Sequence, residues 1–251
     1  MHDKVLDHVV AHERYPGKRL AIMQPYFFPY VGYFQLISAV DQFVIYDNIK
    51  YTKKGWINRN RILRDGDEML ITLPIKTASD SCFIVEREIS KEFEPTKLMR
   101  QIQTSYRGAP YFSRVEQTLT DILFYPERNL FRFLLNSLEV LCAFLNIETE
   151  LLTSSNVDID HSLKGEDRVI EICRALNAKH YVNAPGGRSL YSEENFDRNG
   201  LSLSFIESKC PVYSQFNAPF YPWLSIVDLL MFNSEEALDK IIKSDFSITE
   251  G

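Results

Sequence analysis

Two short segments hold many of the side chains that could bind a sugar or a nucleobase. Six of the nine residues from Tyr26 to Phe34 are aromatic, and five more rings lie between residues 211 and 223. Prolines interrupt both segments and keep them out of regular structure. Aromatic faces can stack on a base or on the C–H face of a sugar, and a tyrosine hydroxyl adds a polar group. The two segments are predicted to form two walls of one pocket, with packing of single rings into the core as the alternative.

A third segment, residues 47–61, follows a predicted strand and carries a local group of cations. The cations form a basic island in a chain of formal net charge −6: Lys53, Lys54, Arg59 and Arg61. On a strand, the run from residue 58 to 61 would put both arginines on one face and both asparagines on the other. Because guanidinium groups match phosphate oxygens, a nucleotide-linked or phosphorylated ligand is expected. A solvated cationic edge is the competing interpretation.

Two more segments contribute polar or flexible groups. Between residues 181 and 191 a predicted strand enters the Gly186-Gly187 loop, where the backbone can approach a ligand closely. An ordinary turn explains the same glycines almost as well. Asp228 lies in an otherwise apolar helical pattern and is predicted to be a buried carboxylate bonded to backbone or to an arginine.

Several well-known sites are excluded by missing motifs. The four cysteines are scattered without a CxxC pair, and no GxSxG, Walker A or GxGxxG motif occurs. His8 and His12 have helical spacing but lack a third ligand, so no metal and no cofactor are expected. Tyr30-Val31-Gly32-Tyr33 has the place and spacing of the HxGH motif of certain nucleotidyltransferases, with both histidines replaced. This similarity favours the fold of those enzymes, but the phosphate chemistry is not expected because both histidines are missing.

Length and composition are those of a globular protein. The chain has 251 residues, of which 25% are charged and 45% apolar. Without a basic block it is not expected to bind nucleic acid, and its apolar runs are too short for membrane insertion. Because its first residues lack a hydrophobic segment, a cytoplasmic location is expected.

The elements that must position these residues alternate in type. A strand at 20–23, a helix at 32–40 and a strand at 42–46 form a βαβ unit and predict a parallel pair. A hairpin at 57–73 follows, with 82–89 as a candidate third strand, and Thr96 and Ser234 are predicted N-caps. The expected fold is α/β, a Rossmann-like mostly parallel sheet with a β-hairpin excursion and a helical insertion. Its predicted parts are an N-terminal helical extension at 1–17 and one domain at 18–251, with the insertion at about 94–147.

These dispersed residues resemble the WbqC-like protein family from Leu20 to the final helices. The resemblance is carried by Gln24-Pro25-Tyr26, Pro29, Gly32-Tyr33, Asp41, Asp47, Trp56, Asn58-Arg59-Asn60, Tyr106, Ala109-Pro110-Tyr111-Phe112, Tyr181, Gly186, Tyr191, Tyr213, Gln215, Ser225 and Asp228. Family members are similar in being encoded among genes for O-antigen and other surface or flagellar glycans. The resemblance implies transfer of glycine or another acyl or aminoacyl group onto an amino sugar. One departure precedes Tyr106, where members often carry Trp and His and this chain has Phe93 and Leu98.

The leading hypothesis is therefore an N-acyl or N-aminoacyl transferase acting on a nucleotide-linked amino sugar. Its other partner would be an acyl or aminoacyl donor, either free or held on a carrier. Asp47 or His161 would be the catalytic base, and Arg59 with Arg61 would hold the diphosphate. The predicted substrate-binding residues are Gln24, Tyr26, Tyr30, Tyr33, Lys53, Asn58, Arg59, Asn60, Arg61, Tyr106, Asn183, Gly186, Gly187, Tyr191, Tyr213, Gln215 and Asp228. The alternatives are a noncatalytic sugar-nucleotide or glycan-binding accessory protein and a degenerate HxGH-type nucleotidyltransferase.

Overall fold

A computed structural model of the chain describes residues 17–216 and 219–250. The expectations for an N-terminal helix and for His8 and His12 concern residues outside those ranges. Within them, no helix has both the length and the apolar composition needed to cross a bilayer.

Six strands form the central sheet, in the order β5-β2-β1-β6-β7-β8. Their bounds are β1 (Arg19–Met23), β2 (Gln42–Ile45), β5 (Glu150–Thr153), β6 (His180–Asn183), β7 (Ser202–Ser208) and β8 (Phe246–Glu250). The first five pair in parallel, and β8 runs antiparallel to β7. A separate antiparallel hairpin joins β3 (Arg59–Arg64) to β4 (Asp67–Thr72) through Asp65 and Gly66, both at positive φ. The predicted mostly parallel α/β fold is thus confirmed.

Eight α-helices accompany these strands in the described ranges. They are α1 (Val31–Ser38), α2 (Pro95–Tyr106), α3 (Phe112–Leu123), α4 (Leu130–Phe144), α5 (Gly165–Ala175), α6 (Glu193–Arg198), α7 (Ile226–Phe232) and α8 (Glu235–Lys243). Helices α2 to α4 fill the stretch predicted as a helical insertion. Helix α1 is tied to α8 by Gln35, whose buried amide nitrogen donates to the Ile241 carbonyl at 2.9 Å.

The strand order creates a switch point beside β1. The chain passes from β1 to β2 on one side and later adds β5 there, whereas β6 and β7 extend the sheet on the other side. Ligands of open α/β sheets bind outside the carboxyl ends of the strands where this reversal occurs. In this fold the reversal lies between β1 and β6.

Three details differ from the sequence expectations. Residues 82–89 form no strand; the Glu86 carboxylate accepts the Phe83 N–H at 2.6 Å and turns the chain into a short 3₁₀ helix at Ile84–Glu86. Strand β8 was not predicted, because a half-buried edge strand of five residues gives a weak local pattern. Helix α2 begins at Pro95, so Thr96 lies inside the helix and is not its N-cap. Proline is favoured in the first turn because a backbone N–H there has no partner within the helix.

Candidate functional site

A cleft of about 400 Å³ opens at the switch point. We call it the aromatic cleft; it is lined by Tyr26, Tyr30, Trp56, Asn60, Arg61, Pro185, Ser208 and Trp223. Tyr26 and Tyr30 follow β1, Pro185 follows β6, and Ser208 ends β7. Three neighbouring parallel strands therefore lead into the cleft at their carboxyl ends.

The first aromatic segment divides between the cleft and the core. Tyr26 and Tyr30 face the cleft, whereas Phe27, Phe28 and Tyr33 are buried in the core. The Tyr33 hydroxyl donates to the Gln24 carbonyl at 2.9 Å, so this predicted ligand contact is engaged within the fold. Burial raises the pKa of the Tyr26 and Tyr30 hydroxyls, which keeps both neutral and able to donate to a ligand.

Two buried polar side chains, Asn60 and Ser225, hold the first aromatic segment by hydrogen bonds to its backbone. The Asn60 amide nitrogen donates to the carbonyls of Phe27 at 3.1 Å and Phe28 at 2.7 Å, and the Ser225 hydroxyl donates to the Phe28 carbonyl at 2.9 Å. Phe28 has φ +44°, a backbone conformation that a bulky residue rarely adopts. The hydrogen bonds fix this turn and so fix the side on which Tyr30 emerges.

Gly32 allows two groups of the cleft wall to approach each other. A Cβ on this residue would lie 2.5 Å from Cε2 of Tyr30 and 2.7 Å from Oγ of Ser208. In the HxGH-like segment the glycine therefore serves the packing of the cleft wall.

The hairpin presents two arginines on one face and two asparagines on the other, as the alternation predicted. Arg59 donates to the carbonyls of Gly55 at 3.1 Å and Lys54 at 2.6 Å, so its guanidinium clamps the preceding turn. Arg61 donates to Glu68 at 2.7 Å and lines the cleft, but its buried Nε has no hydrogen-bond partner in the structure.

The other predicted polar residues of this region lie away from the cleft lining. Asn58 is buried; its carbonyl oxygen accepts from the Tyr51 hydroxyl and its amide nitrogen donates to the Leu73 carbonyl, both at 2.8 Å. Lys53 forms an exposed ion pair with Asp80 at 2.7 Å. These contacts stabilise the fold or the surface.

A buried hydrogen-bond network fastens the second aromatic segment. The fully buried Asp228 carboxylate accepts from the Tyr106 hydroxyl at 2.8 Å and from Tyr213 and Gln215 at 2.6 Å each. The Tyr106 oxygen in turn accepts the Leu63 N–H at 2.8 Å. Burial raises the pKa of Asp228, and the three hydrogen bonds counteract that shift. The carboxylate is buried as predicted, but its partners are tyrosines and a glutamine, not backbone or arginine.

The network lies behind one wall of the cleft. From the described part of the second segment, Trp223 reaches the lining, where its ring meets the edge of Tyr30 at 5.8 Å between centroids. Trp223 has φ +57°, which stores backbone strain at the cleft.

In the glycine loop after β6, the tight packing involves neighbouring side chains. A Cβ on Gly187 would lie 2.2 Å from Nδ2 of Asn183 and 3.3 Å from the Tyr191 ring. Around Gly186, by contrast, a Cβ would meet no atom within 4 Å. Tyr191 packs edge-on against Tyr181 at 5.6 Å.

A second group of polar residues lies at the carboxyl ends of β2 and β5. We call it the polar cluster; its members are Asp47, Asn48, Ser154, His161 and Arg168. The buried Asp47 carboxylate accepts from the Ser154 hydroxyl at 2.8 Å and the Ser155 N–H at 2.9 Å. Asn48 contacts Ser154, Arg168 and His161. The fold thus brings both predicted bases together, outside the lining of the aromatic cleft.

Comparison with a family model decides the affiliation, because the model of the WbqC-like protein family matches residues 24–240. The chain belongs to the WbqC-like protein family. It is similar to the uncharacterized protein Rv1507c of Mycobacterium tuberculosis, with 30% identity over 226 residues that cover 88% of this chain and 96% of that protein. No solved structure matches.

The segment before Tyr106 contributes two residues to the hydrophobic core. Phe93 and Leu98 are buried, and the Phe93 ring meets Phe133 edge-on at 6.0 Å. These two positions therefore contribute apolar packing in this chain.

Sequence reasoning did not single out Ser208 in the cleft or Arg168 in the polar cluster. Arg168 lies on the buried face of α5 with Ile172, one turn away, and a cation on an apolar stripe was the available signal. Ser208 gave no local signal in the sequence.

Proposed function

We propose that this WbqC-like protein binds a nucleotide-linked amino sugar in the aromatic cleft. The observation that carries the proposal is the combination of four partly exposed rings with one arginine at the switch point of the sheet. Rings of this kind stack on a base and on a sugar face, and a crevice at the switch point is where nucleotides bind in such sheets.

Arg61 supplies the charge that a phosphate needs. Among the described residues that line the cleft it is the charged one, and its Nε lacks a hydrogen-bond partner. The Arg61 side chain is 32% exposed, so its guanidinium is accessible to a phosphate oxygen, which it suits as a charged donor. Arg59 already donates to two carbonyls, so the phosphate contact is assigned to Arg61 alone.

Intrinsic fluorescence offers a specific test. The chain has two tryptophans, and both line the cleft. Titration with uridine- and thymidine-diphosphate amino sugars should give a saturable change in tryptophan emission, matched by calorimetry. The absence of both signals across the panel would overturn the proposal.

Two arginine variants form a matched pair for the same titration. Arg61→Met should weaken binding about tenfold or more, because a hydrogen bond to a charged group is worth about 1.5–3 kcal/mol. Arg59→Met lies on the same face of β3 and should leave affinity nearly unchanged while lowering stability. Equal affinities for the two variants would contradict the role given to Arg61.

Acyl or aminoacyl transfer to the bound amine, within O-antigen or flagellar glycan synthesis, is the second candidate function. It is favoured by the polar cluster, which holds Asp47 and His161 at the ends of the strands next to the cleft. The amine would attack the carbonyl of a thioester or ester, the thiol or alcohol would leave, and a base would take the ammonium proton.

Mass spectrometry separates the two functions. Incubation of a nucleotide-linked amino sugar with thioester donors should add one acyl mass to the sugar, and Asp47→Asn and His161→Ala should each reduce that gain. Saturable binding with an unchanged sugar mass supports the noncatalytic accessory protein instead.

A further inference from the structure

One ring nitrogen of His161 faces two hydrogen-bond donors. Its Nδ1 lies 3.2 Å from the amide nitrogen of Asn48 and 3.4 Å from Nη2 of Arg168. A guanidinium nitrogen donates and never accepts, so it requires an unprotonated nitrogen opposite it.

The orientation of the Asn48 amide follows from its other partners. Its oxygen faces the Arg168 guanidinium, which can only donate, and lies 2.7 Å from the Ser154 hydroxyl. The amide NH₂ must therefore point to His161. With donors on both approaches, Nδ1 is the acceptor, and the hydrogen of the neutral imidazole is on Nε2.

Arg168 is held firmly in this position. It is only 7% exposed, donates to the Asn48 carbonyl at 3.3 Å, and lies over the Tyr46 ring at 5.3 Å. From its guanidinium a chain of contacts runs through Asn48 and Ser154 to the buried Asp47 carboxylate. Asp47, Ser154 and Arg168 are buried and Asn48 is half-buried, whereas His161 is exposed.

We propose that His161 acts on the ligand as a neutral hydrogen-bond donor, through Nε2–H, to a carbonyl oxygen of the acyl donor. Asn48 and Arg168 are positioning residues that fix the tautomer. The identity of that oxygen rests on the proposed acyl transfer, but the tautomer does not. The nitrogen that could accept a proton is occupied within the cluster, so His161 is not the base.

Nitrogen-15 NMR of the full chain with labelled histidine tests the tautomer directly. The His161 resonances are assigned by their loss in His161→Gln. A protonated Nε2 with a pyridine-like Nδ1 is expected, and Arg168→Met should shift the ring toward a mixture of tautomers. A ring protonated on Nδ1 in the wild-type protein overturns the inference.

Two substitutions of the histidine test the role toward the ligand. Glutamine places an amide N–H near the position of Nε2–H, whereas phenylalanine keeps the ring shape without a donor. His161→Gln should retain most transfer and His161→Phe should lose about 100-fold, as when one oxyanion donor is removed. Equal loss in both variants overturns the donor role. A wild-type protein that binds the sugar without transfer overturns the proposed activity and this role together, leaving the tautomer to the NMR.

Discussion

The aromatic cleft and the polar cluster lie along the same edge of one sheet but are built in opposite ways. In the cleft, rings and Arg61 face open space, and the Nε of Arg61 lacks a partner. In the polar cluster, Asp47 accepts from Ser154, Asn48 accepts from Arg168, and His161 is the exposed member. The cleft is thus arranged to receive a large ligand, and the cluster is arranged to orient one ring.

The two regions also differ in what supports them. The walls of the cleft depend on polar groups buried beneath them, Asn60 under the first aromatic segment and Asp228 under the second. The cluster carries its own buried carboxylate, Asp47. Substitutions beneath the cleft should therefore damage it and leave the cluster assembled.

The largest effect is expected for Asp228→Ala. Removing the carboxylate leaves the Tyr106, Tyr213 and Gln215 donors buried without this acceptor, and because each unsatisfied donor costs about 1–3 kcal/mol, the free energy of unfolding should fall by about 3 kcal/mol or more. Urea denaturation measures this change. Asp239→Ala is the control, because Asp239 forms an exposed i, i+4 pair with Lys243 and should cost less than about 0.5 kcal/mol. A loss below 1 kcal/mol at Asp228 would show that the network does not hold the wall.

Lowering the pH tests whether the cleft and the cluster unfold as one unit. The titrating group lies on β6, a central strand between β1 and β7, so its protonation should destabilise the whole sheet. Burial, reinforced by the Arg19 cation, lowers the pKa of His180 on β6 to about 4 from 6.5. The unfolded chain therefore binds more protons between these values, so this contribution is complete above pH 6.5 and is lost as pH falls toward 4. A shift of this size corresponds to about 3 kcal/mol.

Denaturation at several pH values measures how the free energy of unfolding depends on pH. Tryptophan emission reports on the cleft, and histidine NMR reports on the cluster. Both signals should weaken over the same range, and His180→Gln should flatten the slope. An unchanged slope in the variant would assign the acid sensitivity to other groups.

Local sequence patterns predicted the strands and helices that support both regions, but not which side chains line the cleft or meet in the cluster. The spacing of apolar residues gave β1, α1 and β2, and Ser234 caps α8 as predicted, accepting the Ala237 N–H at 3.2 Å. In the first aromatic segment the sequence does not show that Tyr30 faces the cleft and Phe28 faces the core. Such a prediction depends on a regular alternation of side chains, which the prolines and the positive φ of Phe28 remove. Arg168 and Asn48 are 120 residues apart, and contact across that distance leaves no local pattern.

A smaller effect, confined to the cleft, is expected for Gly32→Ala. The new methyl would meet the Tyr30 ring and the Ser208 hydroxyl, and such overpacking costs about 1–3 kcal/mol. Displacement of Tyr30 should reduce sugar-nucleotide affinity about tenfold in the fluorescence titration, while the His161 NMR signals stay unchanged. Gly186→Ala, where a Cβ meets no atom within 4 Å, should bind normally. If both alanines behave alike, Gly32 is not a determinant of the cleft.

The smallest effect is expected for Lys53→Ala. This variant tests whether cations outside the cleft lining contribute to ligand binding. Lys53 belongs to the basic island of the sequence, yet its ammonium pairs with Asp80, and both side chains are at least two-thirds exposed. Exposed pairs contribute about 0–1 kcal/mol and are screened by salt. Affinity for the nucleotide sugar should change less than about twofold, in contrast to Arg61→Met. A tenfold loss at low salt would mean that the 50–55 segment moves onto the bound ligand, and the cleft would then have a charged wall that its present geometry lacks.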